Sequence, residues 1–96
     1  MKGDVFERVL AIVSTVTEVP VEKILSCNRT CEVVDARSII IYILFEEGMY
    51  PSQIACFLKC TASNIRYLIS NFHVRVSTRK MLANNLQEIY KELTNH

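Results

Sequence analysis

An all-α fold, a single small bundle of about six helices, is what these 96 residues predict. Three observations lead there. Gly and Pro number two each, so chain breakers are few and fall between apolar-periodic segments. Half of the residues are hydrophobic, enough for one core at this length without disulfides or a metal. The apolar residues recur at spacings of three and four, the period of a helix with one buried face.

The elements follow in order. Asp4 is suited to cap a first helix with Val5, Val9, Ile12, Val13 and Val16 on one face. Pro20 leads into a short second helix over residues 21–26, with Ile24 and Leu25 as its buried pair. Asn28, Arg29 and Thr30 read as a turn, and residues 31–47 as a third helix. Its isoleucine run would also suit a strand. Helix is preferred because Val33, Ala36, Ile40, Ile43 and Leu44 share a face across EVVDARSIIIYILFEEG, with Gly48 placed as the stop. Apolar residues nearly all round make this helix central. Pro51 opens a fourth helix that faces inward with Ile54, Ala55, Phe57 and Leu58. Lys59 and Cys60 form a corner, and Thr61 caps a fifth helix whose inward set is Ile65, Leu68, Ile69 and Phe72. HVRVSTR reads as a basic linker. A final helix over residues 78–93 places Leu82, Leu86, Ile89, Tyr90 and Leu93 on one side. With no internal repeat, residues 1–96 are expected to form one domain.

Formal charge is +1, but it is spread unevenly. Lys59, Arg66, Arg75, Arg79 and Lys80 lie in a stretch without Asp or Glu, while residues 1–58 hold five cations against eight anions. A local basic segment fits a phosphate footprint or a solvated charged face. The opening MKGDVFERVLAIV is unlike a signal peptide, and the run SIIIYILF falls short of the ~20 residues of a membrane span. A cytoplasmic protein without membrane attachment is expected, its four cysteines free thiols.

Residues 51–72 carry the pattern of a helix-turn-helix. A DNA-reading corner needs a small residue within its first helix, a short turn, and an apolar lock on the second. Ala55, Lys59–Cys60, and Ile65 with Leu68 meet those needs. The outward face of the second helix offers Ala62, Ser63, Asn64, Arg66, Tyr67 and Ser70. Asn pairs with adenine and Arg with guanine in a major groove, and Ser or Thr reaches bases or phosphates. An ordinary αα-hairpin with a polar outer face shares this pattern. The turn commonly holds Gly where this chain has Lys59.

The order of elements resembles the C-terminal DNA-binding domain of the DnaA replication initiator family, best over residues 5–72. Leu25–Ser26, the loop CNRTC with Arg29, Asp35–Ala36–Arg37 entering SIIIYILF, and SQIACF carry the resemblance. The recognition segment diverges. The family reads Gly-Gly-Arg-Asp-His-Ser/Thr-Thr-Val, whereas this chain has LKCTASNI, with Cys60 where the base-reading Arg would stand. The resemblance implies the fold and binding to double-stranded DNA, without implying the initiator's own site. It also implies that Arg29 and Arg37 contact the DNA backbone or support the loop. No G-x-x-x-x-G-K-[ST] phosphate loop occurs, so ATP-driven origin opening is not expected of this chain.

Cys27/Cys31 and Cys56/Cys60 form two C-x₃-C pairs. Structural zinc sites more often use two intervening residues, and Cys56 is placed on the inward side of the fourth helix as a small hydrophobe. Neither a metal nor another cofactor is expected. His73 and His96 have no partner in a recognisable catalytic pattern, so an enzyme is not expected. His73 is assigned to phosphate or solvent.

The expectation is a small protein that binds duplex DNA without catalysing a reaction. Thr61, Ser63, Asn64 and Arg66 would meet the major groove, and Tyr67 a phosphate. Arg29, Arg37, Lys59, Arg75, Arg79 and Lys80 would lie along phosphates. The alternative is an interaction module that keeps the fold without touching DNA, engaging a protein partner or a second copy.

Overall fold

The computed structural model describes residues 2–26 and 30–94. Among them are seven helices and no strand: α1 (Lys2–Thr17), α2 (Val21–Ile24), α3 (Cys31–Glu46), α4 (Pro51–Leu58), α5 (Ala62–Ser70), α6 (Phe72–Thr78) and α7 (Lys80–Thr94). The central position of α3 is as expected: it packs against α1, α2, α4 and α5, while α7 closes on α1 and α6. Its apolar faces explain the placement, since Val33, Ala36, Ile39, Ile40, Ile41, Ile43 and Leu44 are all buried. The radius of gyration is 12.1 Å, close to the ~12 Å of a compact chain of this length.

α1 begins at Lys2, so Asp4 lies within its first turn rather than capping it. A carboxylate there still complements the positive end of the helix dipole. Phe6, Val9, Leu10 and Val13 are buried, and Phe6 stacks on Phe57 of α4 at 4.6 Å between ring centroids. Glu18 ends the helix in a left-handed conformation (φ 60°), and the Ser14 hydroxyl donates to the Val19 carbonyl at 2.7 Å across the bend. Gly48 stops α3 with φ 95°, and the Met49 N–H returns to the Leu44 carbonyl.

The structure corrects three further expectations. HVRVSTR is largely helical: Phe72–Thr78 form α6, separated from α5 by Asn71 alone. Its two valines lower helix propensity, but buried Phe72, stacked on Tyr42 at 4.2 Å, anchors the segment. The extended backbone of Arg79 (φ −126°, ψ 100°) then breaks the ladder before α7. Cys56 is exposed rather than inward, because Ile54, Ala55 and Leu58 take the buried face of α4. Tyr90 lies at the surface and not in the packed stripe. Its hydroxyl donates to the Glu46 carboxylate, joining α7 to the end of α3. Partial burial and then that carboxylate hold the hydroxyl well above the usual tyrosine ionisation range.

No helix among the described residues is long and apolar enough to cross a membrane. Cys31, Cys56 and Cys60 are free thiols; Cys27 lies outside the described residues.

Candidate nucleic-acid interface

The corner between α4 and α5 is built by local chemistry. Lys59 adopts φ 56° and ψ 39°, the left-handed region usually left to Gly, and the Cys60 N–H caps the Ala55 carbonyl at 3.0 Å. A lysine there stores on the order of 1 kcal/mol of strain. Thr61 follows in extended backbone and caps α5, its hydroxyl accepting from the Asn64 N–H at 3.2 Å. Ala55, Leu58, Ile65 and Leu68 are buried together, so the second helix is locked onto the first as expected. Ser63, Asn64, Arg66, Tyr67 and Ser70 are exposed on α5.

A groove of about 520 Å³ runs beside the start of α5. Buried or half-buried Val34, Arg37 and Leu68 line it together with Lys59, Thr61, Asn64, Tyr67 and Arg75. Among the described residues no carboxylate lines it. Five of the residues expected at DNA therefore come together with Arg37, which the sequence had placed along phosphates.

The cations differ in what they hold. Arg37 is buried, and its guanidinium serves the backbone: Nε and Nη2 donate to the Ile24 carbonyl at 3.2 and 3.1 Å, and Nη2 to the Ser26 carbonyl at 2.6 Å. It thus caps the end of α2. Asp35, also nearly buried, pairs with Arg75 at 2.9 Å and with Arg79 at 2.7 Å. Arg79 turns away from the first groove into a second of about 390 Å³, beside Glu18 and Glu32. Lys59, Arg66 and Lys80 are exposed and make no ion pair among the described residues. Arg29 lies outside the described residues. His73 is exposed and meets the edge of Tyr42 at 6.0 Å.

Asp35 is the residue that sequence reasoning passed over. An acid set beside the apolar run of α3 was the signal, but its partners stand 40 and 44 positions away. No group of three or more metal-ligating side chains occurs among the described residues.

A scan against protein-family models finds no match, and a search of curated proteins finds no similar sequence. The described residues form a compact all-α globule with an exposed polar helix beside a groove lined by Arg37, Lys59 and Arg75.

Proposed function

We propose that this chain binds double-stranded DNA through a helix-turn-helix formed by α4 and α5, in the manner of the DnaA DNA-binding domain, and catalyses no reaction. The observation that carries this reading is the environment of α5. Its outward side chains are Ser63, Asn64, Arg66 and Tyr67, and the groove at its start is lined by cations and, among the described residues, by no carboxylate. Such a helix can offer hydrogen bonds to base edges while Lys59 and the Thr61 hydroxyl meet phosphate. A cytoplasmic role in replication or transcription control accompanies this reading.

An electrophoretic shift with random-sequence duplex across a salt series tests it. Retardation at low salt that fades as salt rises is the expected result. The double change Lys59→Glu and Arg66→Glu should abolish the shift, and undiminished binding would refute the assigned face.

A second reading, a protein-interaction module or homodimer, draws on the same Asp35 contacts. Two of the five cations between Lys59 and Lys80 are already paired inside the protein. Self-association or partner capture without any duplex binding at low salt would favour it.

A further inference from the structure

The Asp35 carboxylate lies behind the cations it holds: its side chain is 12% exposed, against 28% for Arg75 and 38% for Arg79. Each of its oxygens takes one arginine, Oδ1 from Arg75 Nη1 and Oδ2 from Arg79 Nε. The two arginines are one helical turn apart, yet they part beyond the acid. Arg75 joins the groove with Lys59, Thr61 and Asn64, and Arg79 the groove with Glu18 and Glu32. Asp35 therefore touches a cation of the first groove, although it does not line that groove itself.

We infer that Asp35 is a specificity-determining residue that weakens sequence-independent attachment to DNA by engaging Arg75 from behind. The inference rests on the duplex-binding reading of this face. A phosphate entering the groove must compete with Asp35 for Arg75, and the carboxylate is anchored by a second arginine. Non-specific affinity follows the number of phosphates neutralised, each worth about 0.9 in the slope of log affinity against log salt. Base contacts from Ser63, Asn64 and Arg66 do not pass through Asp35. Restraining Arg75 thus lowers the non-specific component and leaves base discrimination in place, which raises the ratio between them.

Asp35→Asn in the full chain, measured on random duplex between about 50 and 200 mM salt, provides the test. Binding several-fold tighter, with a salt slope steeper by about one, is expected of a variant whose melting shows it folded. Adding Arg75→Gln should cancel that gain, because the gain acts through Arg75; if the two charges acted independently, Asp35→Asn would give the same gain with Arg75→Gln present. In the unaltered background, Arg75→Gln should cost less affinity than Lys59→Gln, a comparison that stands even if Asp35→Asn does not fold. An unchanged slope in folded Asp35→Asn, or equal losses from the two glutamine variants, would overturn the inference alone. No duplex binding by the unaltered chain at the lowest salt would remove the DNA reading, and this inference with it.

Discussion

Arg37 grips Ile24 by its backbone, with Nε and Nη2 both on the Ile24 carbonyl and Nη2 continuing to the carbonyl of Ser26. One guanidinium on the central helix thereby closes the end of α2, a helix of four residues with little stability of its own. Buried hydrogen bonds from a charged group contribute about 1.5–3 kcal/mol. Arg37→Gln should destabilise the protein by about that amount in urea unfolding followed by circular dichroism. A loss near zero would show that α2 is held some other way.

Lys59→Gly should move stability and binding in opposite directions. Glycine adopts φ 56° without the Cβ clash, so folding should gain up to about 1 kcal/mol, less the larger backbone entropy glycine gives up. Loss of the ammonium should meanwhile weaken duplex binding evenly across sequences and lower the salt slope by about one. Paired denaturation and binding titrations read both effects on one variant.

Arg66 and Asn64 should behave differently from Lys59. A side chain that reads a base contributes about 1–3 kcal/mol of discrimination, whereas a phosphate contact contributes none directly. After selection of a preferred duplex, Arg66→Ala or Asn64→Ala should relax the preference at individual positions with little change in salt slope. A uniform loss across sequences would place them on phosphates.

Tyr90 makes stability sensitive to alkali. Its hydroxyl is held protonated in the folded protein by partial burial and by the Glu46 carboxylate. The unfolded chain releases that proton near the ordinary tyrosine value of about 10. Stability from this contact is therefore complete below that pH and declines as pH rises beyond it. Tyr90→Phe should flatten that decline in thermal melts above about pH 10. Equal slopes for both proteins would rule out a contribution from the hydroxyl.

Most of the helical framework was legible in the residues. Pro20, Gly48 and Pro51 punctuate apolar stripes, and Thr61 caps α5 where expected. α6 was not legible, because His73–Val74–Arg75–Val76 has neither a clean stripe nor strong helix formers. Packing of Phe72 and the tie from Arg75 to Asp35 supply what local preference lacks. At the candidate site, Lys59, Thr61, Ser63, Asn64, Arg66 and Tyr67 occupy the exposed positions assigned to them. All six sit on the turn and helix whose period is visible in the sequence.

By itself, then, the sequence determined that the chain is helical, where its core faces lie, and which side chains α5 turns outward. These are consequences of a 3.6-residue period and of Gly and Pro, which act within a few positions. Only the tertiary structure decided the fate of the charges. Arg37 became a cap for α2, and Arg75 and Arg79 became partners of Asp35, because folding brought groups from distant parts of the chain within 3.2 Å. A count of cations along the sequence holds no information about such meetings.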